Sequence, residues 1–191
     1  MHYIEFKRGQ WEDFFNPVYT MRFGFTPEFF QEENCISNKK NPGGPKGYDY
    51  TTIMTKEKYK KGTRITTCCS FEEFGAPLIT LTDKIHSDEN GNLWYGVCYE
   101  AVLWEKGINI WEFYMDGDKL RYHLTASSEF MVEPGALHNM EIRLLEKGFR
   151  VSVGDRNLTV RAENLPDEVY FGITGCENIN RFYSLSIQKA D

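Results

Sequence analysis

No stretch of this 191-residue sequence is apolar for long enough to cross a bilayer as a helix. Its first residues, MHYIEFKRGQWEDF, carry no basic segment followed by an apolar one. The chain therefore reads as cytoplasmic, with no membrane partner. Cations are also scarce, with 22 Lys and Arg against 28 Asp and Glu and a formal net charge of -6. Phosphate affinity comes from clustered positive charge, so nucleic acid is not an expected partner. Stretches of the GxSxG, P-loop, GxGxxG or HExxH type are missing, which removes the common serine-hydrolase, nucleotide and zinc-protease chemistries. The five cysteines (Cys35, Cys68, Cys69, Cys98 and Cys176) are odd in number and lack CxxC spacing, so neither a zinc site nor a full set of disulfides is indicated. Neighbouring strand residues point to opposite faces, which leaves Cys68 and Cys69 badly placed to bridge. No cofactor and no metal is expected.

Helical periodicity is missing as well. No window of a dozen residues keeps a 3.6 period, and the clearest helical turn falls near Thr26 to Gln31, where Thr26-Pro27-Glu28 sets an N-cap before a first-turn proline. What the chain has instead is aromatics: 14 Phe, 11 Tyr and 4 Trp. They sit in short β-type runs from YDYTTIMT to FYSLSIQ, punctuated by turn signals such as Lys61-Gly62, Lys106-Gly107, Asp116-Gly117 and Lys147-Gly148. NKKNPGGPKG, residues 38 to 47, reads as a loop, because the residues before it are too few for a core of their own. Together these features predict an all-β fold: one domain over residues 1–191, a two-sheet antiparallel β-sandwich with few short helices.

The segment YEAVLWEKGINIWEFY, residues 99 to 114, puts carboxylates inside a hairpin. Taking Glu105-Lys106-Gly107 as a three-residue loop, with Gly107 left-handed, pairs Trp104 with Ile108 and Glu100 with Glu112. Taking Asp116-Gly117 as a two-residue turn then pairs Tyr114 with Lys119 and Glu112 with Arg121. One face collects Tyr99, Leu103, Trp111, Phe113 and Tyr122 as core, with Asn109 its only amide. The other collects Glu100, Trp104, Glu112, Tyr114, Arg121 and His123. A two-residue loop would instead push Glu100 in among Trp111 and Phe113, where an unpaired carboxylate is costly to bury. In the favoured register Glu100, Glu112 and Arg121 form a row. Directly opposed Cβ atoms lie about 4.5–5.5 Å apart and like charges so placed repel, so a partner, a raised pKa or a ligand must compensate.

Three other features are read as ordinary. The lysines from Lys39 to Lys61, beside Tyr48, Tyr50 and Tyr59, form a solvated loop and a guarded edge strand. His86, Asp88 and Asn90 alternate donors as a calcium loop does, but lack the downstream bidentate acid and read as a polar turn. The thiols read as reduced and mostly buried.

The chain also resembles the concanavalin A-like lectin and glucanase superfamily, a jelly-roll sandwich. HNMEIRLLEKGFRVSVGDRNLTV is similar to the hairpin such domains place on the convex sheet. VYFGITGCENINRFYSLSIQ is similar to their closing strand pair, a glycine-containing strand followed by an aromatic one returning to the N-terminus. The resemblance implies a concave sheet used for glycans. Glucanases of this superfamily carry an ExDxxE-type run; CYEAVLWE has Glu100 and Glu105 without the intervening aspartate.

Three functions follow. An oligosaccharide or sugar-like small molecule binds a face on which Trp104 and Tyr114 stack while Glu100, Glu112, Arg121 and His123 hold hydroxyls. Alternatively Glu100 and Glu112 are the paired carboxylates of a glycoside hydrolase or lyase. The third is a non-catalytic interaction module that assembles through this face or an edge strand, a homodimer included.

Overall fold

Runs in which β-branched and aromatic residues alternate with polar ones form strands wherever a face can be buried. The computed structural model describes residues 2–18, 28–38, 50–87, 89, 93–95, 98–117 and 119–190. In chain order its strands begin with β1 (His2–Glu5), β2 (Phe15–Val18), β3 (Phe29–Gln31), β4 (Ile36–Asn38), β5 (Tyr50–Thr55) and β6 (Tyr59–Lys60). There follow β7 (Arg64–Phe71), β8 (Gly75–Thr82), β9 (Ile85–Ser87), β10 (Leu93–Tyr95), β11 (Cys98–Trp104) and β12 (Gly107–Asp116). The last are β13 (Lys119–Glu129), β14 (His138–Leu145), β15 (Gly148–Val153), β16 (Arg156–Arg161), β17 (Glu168–Glu177) and β18 (Asn180–Gln188). A single 3-10 turn, Glu12–Phe14, is the only helical element among the described residues.

Two antiparallel sheets take nearly all of these strands. The back sheet runs β16-β15-β14-β7-β18-β4-β3, and β1 lies along β18 beyond a bulge at Tyr183. The front sheet runs β13-β12-β11-β8-β17-β5-β2, with β6 on the start of β17. β9 and β10 pair only with each other. The chain changes sheets between β7 and β8 and again between β17 and β18, so neither sheet is completed before the other begins. Phe71, Phe149 and Phe182 of the back sheet and Ile79, Leu103 and Phe171 of the front meet between the sheets, essentially unexposed. The result is the expected two-sheet sandwich.

Around Gln31 the expectation fails in part. Thr26 and Pro27 lie outside the described residues, and Phe29–Gln31 is strand rather than helix. Pairing with β4 and the packing of Phe29 edge-on against Phe182 at 5.7 Å outweigh local helix signals. All five thiols are free, and burial pushes that of Cys35 up to about 12.

Each sheet ends in a three-stranded meander, β11–β13 in front and β14–β16 behind, whose first turn is the same tripeptide. In Glu105-Lys106-Gly107 the glycine has φ 130° and in Glu146-Lys147-Gly148 it has φ 134°. A Cβ would stand 2.0 Å from the Ser128 carbonyl oxygen at the first and 2.0 Å from that of Val160 at the second. Glycine is needed at both so that the third strand can close on the first turn.

Candidate functional site

β11 and β12 pair one residue away from the expected register. Glu100 lies opposite Trp111, Val102 opposite Asn109, and Trp104 opposite Gly107, so Glu105-Lys106 is a two-residue loop. A slip of one residue moves every side chain to the other face. Trp111, Phe113 and Tyr122, expected inside, therefore stand on the outer face of the front sheet with Glu100 and Trp104. Glu112 turns to the other side, opposite Tyr99 and next to His123 rather than Arg121. Tyr114 lies opposite Arg121 rather than Lys119. Glu100 and Glu112 are not a pair. Glu100 is only 1% exposed at the wall of a cavity, and it is not without a partner there, so the cost of an unpaired buried carboxylate does not exclude this register.

That cavity, of about 550 Å³, opens on the outer face of the front sheet. Ala76 and Leu78 of β8, Val102 of β11 and Cys176 of β17 make its apolar floor. Trp104, Trp111, Phe113 and Tyr122 supply rings, and Glu100, Asn109 and Glu177 supply polar groups. The rings support one another. Tyr122 lies 6.1 Å from Trp111 and 6.0 Å from Phe113 between centroids, and the Lys106 ammonium stands 5.6 Å over Trp104. Tyr122 is 64% exposed, which leaves its ring available at the rim. Under the same face Thr174 bonds to both Thr52 and Thr80 at 2.9 Å, a buried hydroxyl chain that ties three strands together.

Glu177 is aimed by its backbone. It ends β17 with φ 65°, a left-handed conformation that costs a non-glycine residue on the order of 1 kcal/mol. Three asparagines hold the turn. The Asn38 amide donates to the Asn178 carbonyl at 2.9 Å and accepts from the Asn180 backbone N–H at 2.7 Å, while the Asn180 amide donates to the Cys176 carbonyl at 2.8 Å. Burial raises the Glu177 pKa above the usual carboxylate value.

Of the remaining expected residues, Glu112, Tyr114 and His123, but not Arg121, line a separate cleft of about 470 Å³ on the other side of the front sheet, with Asp83, Tyr99, Asn164, Leu165 and Pro166. Tyr99 donates its hydroxyl to Glu112 at 2.7 Å, and His123 Nε2 stands 3.3 Å from the second carboxylate oxygen. Burial and this bond raise the Tyr99 pKa. The Tyr114 ring meets His123 edge-on at 6.0 Å, and Arg121 pairs with Asp116 at 3.3 Å. Glu100 and Trp104 are thus on one side of the sheet, and Glu112, Tyr114 and His123 on the other. Of the features read as ordinary, Lys60 and Lys61 are paired with Glu168 and Asp167, and Asp88, Asn90 and Tyr48 lie outside the described residues. No group of three or more metal-ligating side chains occurs among the described residues.

Solved structures of the same architecture can now be set beside these sheets. A carbohydrate-binding module, CBM66, from Bacillus subtilis superposes with a TM-score of 0.65 at 9% identity, covering 92% of this chain and 95% of that one. Its fold is the concanavalin A-like jelly roll. A glycoside hydrolase family 16 endo-glucanase from Bacteroides ovatus gives 0.67 at 10% identity, over 98% of this chain and 99% of that one. Alginate lyase A1-II′, of polysaccharide lyase family 7, gives 0.56 at 15%, over 91% and 86%. No family model matches the chain, and no curated protein is significantly similar to it. A binding module, a hydrolase and a lyase on one jelly roll show that this fold leaves the function to the side chains of the site.

Proposed function

We propose that the protein binds an uncharged oligosaccharide in the outer cleft of the front sheet. One observation carries the proposal: four aromatic rings, Trp104, Trp111, Phe113 and Tyr122, share a single cavity with the acceptors Glu100, Asn109 and Glu177. Rings stack on the apolar faces of pyranoses, and carboxylates and amides take up their hydroxyls. The described lining holds two acids and no Lys, Arg or His, so a uronate-bearing chain would meet like charge there. The sugar-binding and sugar-cleaving neighbours support a ligand of this class.

Hydrolysis by paired carboxylates is less well supported. Glu100 and Glu112 lie on opposite faces, and the other acid of the cleft, Glu177, sits far from Glu100. Glu100 is level with Thr80 and Glu177 with Gly75. Five residues of strand separate these levels, about 16 Å along the backbone, so the two acids are not the cross-strand neighbours that a closely spaced pair was expected to be. A glycan array together with a reducing-end assay tests the proposal. Binding of neutral chains without release of reducing ends, strongly weakened by Trp111→Ala, supports it; turnover lost in Glu100→Gln or Glu177→Gln sinks it in favour of an enzyme.

A further inference from the structure

Among the described residues two non-glycine positions have left-handed backbone, and they are neighbours. Phe74 has φ 65° and Glu177 has φ 65°. Gly75, which follows Phe74, is the cross-strand partner of Glu177. A bulky residue with positive φ is an outlier, and glycine would occupy Phe74's conformation without strain. Nor is the ring needed to fill the core, since Phe74 is 56% exposed. It stands two residues before Ala76 and one before the partner of Glu177, and Ala76 and Glu177 both line the cavity, so Phe74 is next to that end of it without being part of its lining. An exposed ring at a strained position, one residue from the cross-strand partner of a carboxylate also held at one, is free to contact something outside the chain.

We infer that this end of the cleft is a second sugar subsite, with the Phe74 ring as its platform and the Glu177 carboxylate as its hydroxyl acceptor. The inference rests on reading the cleft as a glycan site. Trp104 and Trp111 then hold one part of the chain and Phe74 a neighbouring unit. The Gly75 turn keeps the two walls in register. A Cβ on Gly75 would lie 2.9 Å from the Glu72 carbonyl oxygen, 2.9 Å from Phe71 Cβ and 3.0 Å from the Ile179 carbonyl oxygen, so only glycine fits in the strand opposite Glu177.

Strain and function predict opposite signs for one substitution. Affinity for an array of neutral gluco- and galacto-oligosaccharides and thermal melting are measured on wild type, Phe74→Gly, Phe74→Ala, Phe74→Tyr and Trp111→Ala. Phe74→Gly and Phe74→Ala should each bind about 3- to 10-fold more weakly, and Phe74→Tyr should bind as wild type. Phe74→Gly should nevertheless melt at or above wild type, by up to about 2 °C, because the backbone strain is relieved. Wild-type affinity in Phe74→Gly, with binding strongly weakened in Trp111→Ala, overturns the subsite and leaves the cleft reading intact. A marked fall in the melting temperature of Phe74→Gly also overturns it, because the ring would then be holding the fold. If wild type binds nothing on the array, the cleft reading falls and the subsite falls with it.

Discussion

The two meanders start from the same turn and end with different surfaces. Counted from Gly107 and Gly148, Glu100 and Glu141 occupy the same place, each opposite a threonine of the next strand inward, Thr80 in front and Thr66 behind. Behind, the outer face is ordinary. Glu141 lies opposite Ser152 and pairs with Arg64 at 3.5 Å, and Arg143 lies opposite Arg150. In front, Glu100 is buried opposite Trp111, and the places of Arg143 and Arg150 are taken by Val102 and Asn109. The first hairpin has the same turn and register in both, so within it the difference lies in the outward side chains; the second does not, since β12 and β13 shift register between Ile110 and Trp111 while β15 and β16 pair without a break. A solvent face has been replaced by an aromatic one around a carboxylate that was kept.

The largest effect should come from the shared glycines. Gly107→Ala and Gly148→Ala each force a Cβ onto a carbonyl oxygen at an unfavourable φ and should cost about 2–3 kcal/mol, read by urea denaturation. Only the first should also weaken glycan binding; equal binding losses in both would mean that the two meanders do not differ in role. Next, Trp111→Ala should weaken binding by roughly 30-fold, whereas Ser152→Ala, at the matching place, should leave binding unchanged and move stability by under about 0.5 kcal/mol. Glu100→Gln should cost about tenfold in affinity. Glu141→Gln should cost no affinity and at most about 1 kcal/mol of stability, as expected of a largely solvated ion pair.

The smallest effect concerns Glu177. Its pKa is raised by burial in the folded chain, so the native state holds this proton to higher pH than the unfolded state does. Stability contributed by the neutral form is complete below the unfolded value and is lost as pH rises through the folded one. Melting curves of wild type and Glu177→Gln should therefore converge in acid and separate towards neutrality, with the variant the more stable. Curves that separate in the opposite direction would mean that Glu177 is held as an anion by partners rather than raised by burial.

Antiparallel pairing and the sandwich were legible because alternation and glycine turns report burial directly, whereas the short strands β1 to β4, before the first of the β-type runs, were not read as strands. The back meander could be read without ambiguity. Only with Leu145 opposite Gly148 do Ile142, Leu144, Phe149 and Val151 share one face while Glu141, Arg143, Arg150 and Ser152 share the other. The front meander could not be read from its own pattern, since both of its faces are rich in aromatics. There the cost of burying an unpaired Glu100 selected the wrong register, because the buried carboxylate is not without a partner at the cavity wall. A signal was nonetheless present: the repeated Glu-Lys-Gly turn carries the register from the clear hairpin to the ambiguous one. Trp111, Phe113, Tyr122 and Asn109 would then have been assigned to the outer face. Glu177 left no such trace, because its direction is set by a positive φ and by Asn38, 139 positions away in the chain.

That distance has a practical side. The ideal Cβ of Gly175 lies 2.5 Å from Asn38 Oδ1, so the N-terminal segment enters the front sheet's underside through a gap that only glycine leaves. The wall of the cleft is thus anchored in the opposite sheet, by a residue that never touches the cavity. A designer who moved the β11–β13 meander and its rings onto another scaffold would carry the platform across and leave its far wall behind. The smallest transplantable unit is the whole sandwich.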